Sequence, residues 1–384
     1  MKLEPVVGDD PREILRALRG ALHGAGPALG LGMVDRLPSE VRPGTAVVVT
    51  TSGSTGVPKS VVLTRDCLTA SALATADRIG DGAWLLALPA SYVAGLQVLV
   101  RSLVADREPA ILSGAFTPQA FAAAALTMTS SVGGERVPTY TSLVPAQLSR
   151  LLDAADHDPH ILAALRSFER ILIGGQALPA ATLERAEAAG ARIARTYGST
   201  ETSGGCVYDG VPLRGVQVRI AKGEVQVSGP TLADGYLGDR ELTAAAFVRE
   251  SDGTRWYRTG DAGLFEDGVL RIRGRIDNVI VSGGVNISLD RVERIVRSVP
   301  GLDTAVVLGV PDERWGEASV IVASRGEALR RSESVQLDEA RAAVQAEIGS
   351  HARPTRLVLV DELATLPSGK PDREAIRRAV AALH

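Results

Sequence analysis

The segment from Thr50 to Lys59 constrains the possible folds more than any other part of the sequence. It reads TTSGSTGVPK and follows the apolar run TAVVV, which predicts a buried strand. Gly53 and Gly56 allow a positive φ and a close approach of the backbone to a ligand. Successive backbone N–H groups can then surround an anion, and Lys59 adds a flexible point charge. The segment therefore predicts a phosphate-binding loop, with a plain Ser/Gly surface loop as the alternative.

Hydrophobic periodicity predicts alternating strands and helices around this loop. The predicted strands are 45–49, 60–63, 84–88, 137–142, 170–173 and 192–196, and the predicted helices are 11–23, 64–77, 94–104, 145–155 and 178–189. Such alternation is typical of a layered, largely parallel α/β domain. Residues 216–272 instead predict short antiparallel strands separated by glycine turns.

A second set of elements follows residue 277. The pattern predicts strands at 304–310, 320–323 and 356–360, and helices at 289–298, 337–348 and 373–383, with a polar surface loop at 325–336. A chain of 384 residues is long enough for two domains. We expect a large α/β N-terminal domain with an antiparallel β subregion, and a small α+β C-terminal domain.

Charge and cysteine content exclude several classes of protein. A net charge of −3 gives no reason to expect nucleic acid or an anionic membrane as partner. The two cysteines, Cys67 and Cys206, form neither a metal-binding spacing nor a disulfide framework. With no apolar signal core and no run long enough to span a membrane, we expect a cytoplasmic protein; a homo-oligomer is possible.

Four further motifs follow the loop in a fixed order. They are YGSTE (197–201), YRTGD (257–261), GRID (274–277) and PSGK (367–370). Together with the loop they resemble the adenylate-forming superfamily of acyl-CoA synthetases, aryl-CoA ligases, luciferases and peptide-synthetase adenylation domains. The resemblance implies an adenylation domain at 1–276 and a small mobile domain at 277–384, with ATP, Mg²⁺ and CoA as ligands. Relative to that family the N-terminal part looks shortened.

The motifs assign roles in ATP binding by resemblance. The β- and γ-phosphates would be held by the loop and its lysine, namely Thr51, Ser52, Gly53, Ser54, Thr55, Gly56 and Lys59. Thr200 would donate to the α-phosphate, and Glu201 would bind Mg²⁺, which prefers carboxylate and phosphate oxygens. The adenine would be lined by Gly174, Gly175, Gln176, Tyr197, Gly198 and Ser199. Asp261 would accept the ribose hydroxyls, with Arg275 as an added donor.

The C-terminal domain would supply Lys370, which bridges the substrate carboxylate and the α-phosphate during adenylation. Asp277 would be the hinge about which this domain rotates before thioester formation, and Gly283-Gly284 would lie near the thiol. The chain has only four lysines among many arginines, and two of them, Lys59 and Lys370, fall inside motifs. Taken alone, Glu201 reads as a helix-start carboxylate, Asp261 as a turn residue and Lys370 as a solvated loop lysine.

By the family resemblance, the acyl pocket lies between three segments: PASYVAG near residue 89, SLVPAQL from Ser142, and TSGGCVYDG after Glu201. The compact length and the segments LPASYVAGLQVLVRSL, YGSTETSGGCVYDG and VSGGVNIS together resemble the shorter 2-succinylbenzoate–CoA ligases of menaquinone biosynthesis, which implies a substrate pocket with Ser91, Tyr92, Ser142, Ser203 and Gly204. A second carboxylate needs a partner, for which Arg150, Arg195 and the N–H groups of 203–205 are candidates. The alternatives are another aryl- or acyl-CoA ligase, a free-standing adenylation enzyme that serves a carrier protein, or a nucleotide-binding protein without turnover.

Overall fold

A computed structural model of the chain describes residues 1–32, 37–51, 58–128, 131–325, 332–366 and 369–382. Two sets of predicted site residues therefore lie outside the described residues: Ser52, Gly53, Ser54, Thr55 and Gly56 of the phosphate loop, and the Pro367–Ser368 pair before the C-terminal lysine. Among the described helices, none is both long enough and apolar enough to cross a membrane.

Residues 1–275 contain most of the strands and helices. The strands are β1 (Leu3–Pro5), β2 (Ala28–Leu31), β3 (Thr45–Thr51), β4 (Lys59–Thr64), β5 (Ala83–Leu86), β6 (Ala110–Ile111), β7 (Ser131–Val132), β8 (Glu135–Arg136), β9 (Thr139–Leu143), β10 (Arg170–Ile173), β11 (Ile193–Ser199), β12 (Gly204–Tyr208), β13 (Val211–Pro212), β14 (Gln217–Ala221), β15 (Glu224–Ser228), β16 (Gly235–Tyr236), β17 (Phe247–Arg249), β18 (Arg255–Glu266) and β19 (Val269–Arg275). The helices are α1 (Pro11–His23), α2 (Arg65–Ile79), α3 (Val93–Val104), α4 (Pro118–Leu126), α5 (Pro145–Ala155), α6 (Pro159–Ser167), α7 (Ala180–Ala188) and α8 (Arg240–Ala246).

A seven-stranded sheet forms the centre of this part, in the order β13-β12-β11-β10-β9-β5-β6. Strands β11, β10, β9, β5 and β6 are parallel to one another, whereas β12 is antiparallel to β11 and β13 is antiparallel to β12. Ile173 pairs with Leu143 on one side and Arg195 on the other, so β9, β10 and β11 end at the same edge. Ligands of open α/β sheets bind at such an edge.

A second sheet, in the order β1-β2-β3-β4-β16, carries the phosphate-loop segment. Strands β3 and β4 are antiparallel, and Thr51 lies opposite Lys59, the two residues that flank the segment 52–58. Helix α2 follows β4 and is capped as predicted by Thr64, whose Oγ1 accepts the Cys67 N–H at 3.1 Å. This cap satisfies one of the free N–H groups of the first turn.

Helix α3 is buried on nearly all sides, since every residue from Gly95 to Ser102 is buried. Its sequence, VAGLQVLVRSLV, is apolar around most of the helix, as expected for a helix inside the core. Leu96, Val98 and Leu99 belong to the same core as the strands of both sheets. Full burial of one such side chain stabilises the fold by about 1.5–3 kcal/mol.

Residues 217–275 form an antiparallel sheet in the order β14-β15-β18-β17, with β19 paired to β18. The prediction of an antiparallel region is therefore confirmed. In the pairing of β18 with β19, Asp261 lies opposite Arg275. Two motifs that are separate in the sequence are thereby brought side by side.

The remaining described elements form their own sheet and core. They are β20 (Val279–Ser282), β21 (Val285–Ser288), β22 (Val306–Asp312), β23 (Gly316–Ser324) and β24 (Arg356–Val360), with helices α9 (Leu289–Val296), α10 (Glu333–Glu347) and α11 (Arg373–Ala381). The sheet order is β21-β20-β23-β22, and β24 pairs with β23 in parallel. The predicted fold class, a large α/β N-terminal part and a small α+β C-terminal part, is confirmed.

Some elements differ from the sequence prediction. The polar segment 325–336 is not a loop throughout: α10 begins at Glu333, because Ser332 caps it by accepting the Val335 N–H at 3.4 Å. The sequence analysis also missed α4, whose segment PQAFAAAAL is apolar nearly throughout and has no polar face to mark a period.

Candidate active site

The two glycines after β10 lie at the carboxyl edge of the seven-stranded sheet, together with the end of β11. A Cβ on Gly174 would meet Thr196 Oγ1 at 2.4 Å, so only glycine fits there. Gly175 has a φ of 83°, which also favours glycine. Gln176 is half-buried at the same edge. The structure thus places the predicted adenine-lining residues 174–176 beside Tyr197, the first residue of the YGSTE motif.

A carboxylate lies between a phenol and a guanidinium in this site. The Tyr197 hydroxyl donates to Asp261 Oδ2 at 2.6 Å, and Arg275 Nη1 donates to Asp261 Oδ1 at 3.4 Å. Burial raises the pKa of Asp261, and the hydrogen bond from Tyr197 and the charge of Arg275 oppose that shift. Burial and the adjacent carboxylate also raise the pKa of Tyr197, so the phenol remains a proton donor to Asp261.

Arg275 links this carboxylate to the predicted hinge. Its Nε and Nη2 donate to the two carboxylate oxygens of Asp277 at 2.9 and 2.8 Å, and its Nη1 donates to the Thr259 carbonyl at 2.8 Å. These hydrogen bonds lower the pKa of Asp277, which keeps the pair ionised. A two-point Arg–carboxylate contact fixes geometry more strictly than a single ion pair does. Because most of its donors are occupied, Arg275 serves mainly to position Asp261 and Asp277 in this conformation.

A second cluster lies around Glu201, in the short 3₁₀ turn Thr200–Thr202. Glu201 Oε1 accepts the Tyr236 hydroxyl at 2.9 Å. Lys59 Nζ is 5.8 Å from the centre of the Tyr236 ring, so the phosphate-loop lysine and the predicted metal ligand share one neighbour. Thr200 is 9% exposed beside them. Thr51 Oγ1 donates to the Lys59 carbonyl at 3.4 Å, which closes the base of the loop.

The described residues contain no group of three or more His, Cys, Asp or Glu side chains that would hold a metal ion by themselves. Glu201, the predicted Mg²⁺ ligand, is therefore not part of such a group. This arrangement fits Mg²⁺, which is usually bound by one or two carboxylates together with phosphate oxygens of a substrate and water.

Lys370 reaches this part of the molecule from the C-terminal end. Two backbone hydrogen bonds hold Lys370 next to Leu366. The Gly369 N–H donates to the Leu366 carbonyl at 2.8 Å, and the Leu366 N–H donates to the Lys370 carbonyl at 2.7 Å. A Cβ on Gly369 would meet Val144 Cγ2 at 3.1 Å, so the turn packs on the start of α5. A Cβ on Gly175 would lie 3.4 Å from Lys370 Cε.

The Lys370 ammonium is affected by both carboxylates described above. Loss of solvation between protein atoms lowers its pKa, and the charges of Glu201 and Asp261 oppose that change. Lys370 nevertheless keeps an exposed surface. Four residues that are remote in sequence thus line one crevice, hereafter the active-site cleft: Gly175, Glu201, Asp261 and Lys370.

The predicted acyl-pocket residues Ser91, Tyr92 and Ser142 lie on two elements of the sheet edge. Ser91 and Tyr92 precede α3, and Ser142 is buried on β9. The Ser91 N–H donates to Asp9 Oδ1 at 3.2 Å. Burial, and then the charge of Asp9, raises the pKa of the half-buried Tyr92.

Ser203 and Gly204 form the turn into β12. Ser203 is fully buried with a φ of 55°, and its Oγ donates to the Thr231 carbonyl at 2.8 Å. Its hydroxyl is therefore committed to the fold rather than free for a substrate in this conformation. Gly204 has a φ of 92°, and a Cβ there would meet Gln97 Cγ at 3.2 Å.

The two arginines considered as partners for a second carboxylate face solvent. Arg195 is 55% exposed and pairs with Asp209, with 3.5 Å between Nε and Oδ1. Arg150 is exposed, and its guanidinium carbon is 5.8 Å from the ring centre of Phe116. The structure does not bring either guanidinium to the buried wall at Gly204.

Sequence analysis missed two polar residues on α3, Gln97 and Arg101. Both are buried, at 1% and 6% exposure. Arg101 Nη2 donates to the Tyr208 hydroxyl at 3.2 Å, and the guanidinium lies over the Trp84 ring at 4.8 Å. Burial lowers the pKa of Arg101, and Tyr208 opposes that shift. The sequence carried a signal for them, because Gln97 and Arg101 are four residues apart in a largely apolar helix and therefore share a face.

Two family models match the chain. The AMP-binding enzyme model matches residues 25–237, and the model of the AMP-binding enzyme C-terminal domain matches residues 291–370. The second range includes Lys370, and the first includes the phosphate-loop segment and Glu201.

Individual proteins agree with these models. The chain is 39% identical to "Probable 2-succinylbenzoate–CoA ligase" of Mycobacterium tuberculosis, over 96% of this chain and 95% of that protein. It is 31% identical to feruloyl-CoA synthase of Amycolatopsis sp., over 92% of this chain and 74% of that protein. The structure resembles o-succinylbenzoate CoA synthetase from Bacillus subtilis in complex with an acyl-adenylate intermediate, with a TM-score of 0.73 and 23% identity over 98% of this chain and 83% of that one. That structural likeness shows the fold. From the family models and the relatives together, the chain belongs to the AMP-binding enzymes and, within them, to the adenylate-forming acid–CoA ligases.

Proposed function

We propose that this protein adenylates a carboxylic acid with ATP, releases pyrophosphate and then transfers the acyl group to CoA, and that the acid is 2-succinylbenzoate. The observation that carries this proposal is the position of Lys370, which lies against Gly175 in the same cleft as Glu201 and Asp261. A nucleotide-binding protein without turnover has no need of a cation brought from the C-terminal part into this cleft.

ATP would lie along the edge of the seven-stranded sheet. The adenine would sit against residues 174–176 and Tyr197, whose ring is held by its hydrogen bond to Asp261. Asp261 would accept the ribose hydroxyls, since its carboxylate is held in place by a phenol and a guanidinium. The phosphates would extend toward Thr200, Lys59 and the loop of residues 51–56.

Glu201 is the residue that would hold Mg²⁺, with phosphate oxygens completing the ion's ligands. The chemistry supplied by the bound ion is partial neutralisation of the phosphate charge. The Tyr236 hydroxyl fixes the carboxylate for this role through its 2.9 Å hydrogen bond. Lys59, close to the same tyrosine ring, would contribute a second positive charge on the side of the leaving pyrophosphate.

In the first step a carboxylate oxygen of the acid attacks the α-phosphorus and the bond to pyrophosphate breaks. Negative charge is brought together as two anions approach, so a cation between them lowers the barrier. Lys370 would be that cation, and Thr200 would donate its hydroxyl to the α-phosphate. Positioning and electrostatics of this kind account for most catalysis of phosphoryl-type transfers.

In the second step the CoA thiol attacks the acyl carbonyl and AMP leaves. Lys370 has no role in that chemistry, so the C-terminal part is free to rotate. We place the domain boundary after Ile276 and the hinge at Asp277, next to the Arg275 contact that would break or re-form. The turn at Gly283-Gly284 would then line the path of the thiol.

The choice of acid rests on the relatives' names and on charge. The wall of the pocket at Gly204 adjoins α3, which carries the buried Arg101. Among the described residues no carboxylate forms an ion pair with Arg101, whose contacts are the Tyr208 hydroxyl and the Trp84 ring, although burying a cation without a counter-charge is costly. A dicarboxylate such as 2-succinylbenzoate supplies that counter-charge through its non-reacting carboxylate. Ferulate is the second candidate, because one relative is a feruloyl-CoA synthase.

Pyrophosphate release with a panel of acids, with and without CoA, tests the proposal. The panel is 2-succinylbenzoate, ferulate, benzoate and octanoate at saturating ATP. We expect the highest kcat/KM for 2-succinylbenzoate, because a site built around buried donors loses affinity for acids that leave them unpaired. A higher kcat/KM for any other acid would reject 2-succinylbenzoate. Turnover that a carrier protein supports and CoA does not would reject CoA as the acceptor.

A further inference from the structure

Gln97 is the most unusual buried polar residue of the described chain. It is 1% exposed, and neither Nε2 nor Oε1 has a hydrogen-bond partner. Buried polar side chains are nearly always hydrogen-bonded, and an amide left unpaired on both atoms destabilises the fold. Such an amide calls for a partner that is absent from the free protein.

The side chain lies at the wall of the proposed acyl pocket. A Cβ on Gly204 would meet Gln97 Cγ at 3.2 Å, so the aliphatic part of the Gln97 side chain packs directly on the backbone of Gly204. Gly204 pairs with Ser199 on the strand that leads into Thr200 and Glu201. The backbone carbonyls of Ser203 and Gly204 already accept hydrogen bonds from other side chains. Ser71 Oγ donates to Ser203 O at 3.0 Å, and Thr202 Oγ1 donates to Gly204 O at 2.7 Å.

Arg101 lies one helical turn further along α3, on the same face. Its Nε is also buried without a hydrogen-bond partner. Among the described residues, one face of α3 therefore carries three buried polar atoms without a partner, and two of them are N–H donors. A pair of N–H donors next to a positive charge matches the oxygens of a carboxylate.

We propose that Gln97 is a specificity-determining residue whose amide donates a hydrogen bond to the non-reacting carboxylate of the acid. This assignment rests on the proposed function, since it names a contact of that same substrate. Gln97 selects acids with a polar oxygen at this depth of the pocket and disfavours those that end in hydrocarbon. When the acid binds, its non-reacting carboxylate accepts a hydrogen bond from the Gln97 amide, which offsets the cost of leaving that amide unpaired in the free protein.

The test compares Gln97→Met with the matched variant Gln336→Met. Methionine keeps an unbranched side chain of similar length and removes both amide atoms. Gln336 is also a buried helical glutamine, 1% exposed with an unpaired Oε1, but it lies on α10 in the C-terminal part. For each protein, kcat/KM is measured for 2-succinylbenzoate and for 4-oxo-4-phenylbutanoate, which lacks the ring carboxylate, together with the KM for ATP and the Tm.

We expect the ratio of the two kcat/KM values to fall by about 10- to 100-fold in Gln97→Met, the loss typical of a hydrogen bond to a charged group. The KM for ATP should stay unchanged, and the Tm should not fall, because an unpaired amide has been removed. Gln336→Met should keep the wild-type ratio.

Two results would overturn the assignment while leaving the proposed function intact: kcat/KM values of Gln97→Met that match the wild type with both acids, or an equal loss with both acids. The second would mean that Gln97 only supports the fold. Wild-type protein that fails to adenylate 2-succinylbenzoate would instead reject the proposed acid and this assignment with it.

Discussion

Replacement of Lys370 by alanine should separate the two half-reactions. In the structure the ammonium lies against Gly175, and the carboxylates of Glu201 and Asp261 act on its pKa. The variant removes one preorganised charge beside the attacked phosphate and leaves the rest of the cleft in place. Loss of one such contact typically costs a factor of about 10²–10³ in rate, or about 3–4 kcal/mol in the barrier.

The assay measures each half-reaction alone. Acid-dependent pyrophosphate release reports adenylation, and preformed acyl-adenylate plus CoA reports thioester formation. We expect Lys370→Ala to lose about 10²–10³ in the first assay and less than about tenfold in the second. Lys2→Ala is the control, since Lys2 is exposed and pairs only with Glu4 at the surface.

Equal losses in the two assays would refute the reasoning, because they would show that Lys370 supports the whole site rather than the first step. An unchanged first assay would refute it as well, because the cation would then have no part in adenylation.

Three further results are expected. Adenylation should decline as pH rises through the lowered pKa of Lys370, because only the protonated amine carries the charge, and this decline should come at a lower pH than for an ordinary lysine. Lys370→Arg should move the decline to higher pH. An alkaline limit that is identical in both proteins would contradict the assignment. Glu201→Gln keeps an oxygen for the Tyr236 hydroxyl but loses the charge, so the Mg²⁺ concentration needed for half-maximal turnover should rise; equal activity at limiting Mg²⁺ would end the metal role. Asp261→Asn should raise the KM for ATP about 10- to 100-fold, measured at saturating acid, and an unchanged KM would remove Asp261 from the ribose site.

Much of the fold was predictable because local signals agreed with it. Helix 11–23 has a clear apolar face and matches α1, and Pro145 marks the start of α5 as predicted. The ends of the strands also placed the motifs at one edge of the sheet. These predictions depend only on neighbours in the sequence, which is why they succeeded.

The acyl side was less predictable because burial depends on distant elements. Ser203 looked like a free hydroxyl, yet Thr231 accepts its hydrogen bond. Arg195 looked like an available cation, yet its strand turns it to solvent beside Asp209. Conversely, no role was predicted for Gln97 and Arg101, and only the packing of α2, α3 and β12 shows that both are buried.

The approach of Lys370 to Gly175 could not be read from local pattern either, because nothing between the two residues specifies their distance. It requires the C-terminal sheet to be docked with one particular face toward the cleft. The family resemblance supplied this expectation, whereas periodicity and spacing did not.

The most direct test of the central claim is to identify the products of a single turnover. The protein is mixed with ATP, Mg²⁺ and 2-succinylbenzoate in the absence of CoA, quenched and examined by mass spectrometry. The proposal predicts one equivalent of the mixed anhydride of the acid with AMP, together with pyrophosphate, and its conversion to the CoA thioester and AMP when CoA is added. Formation of ADP and phosphate, or the absence of any acid-dependent adenylate, would contradict it.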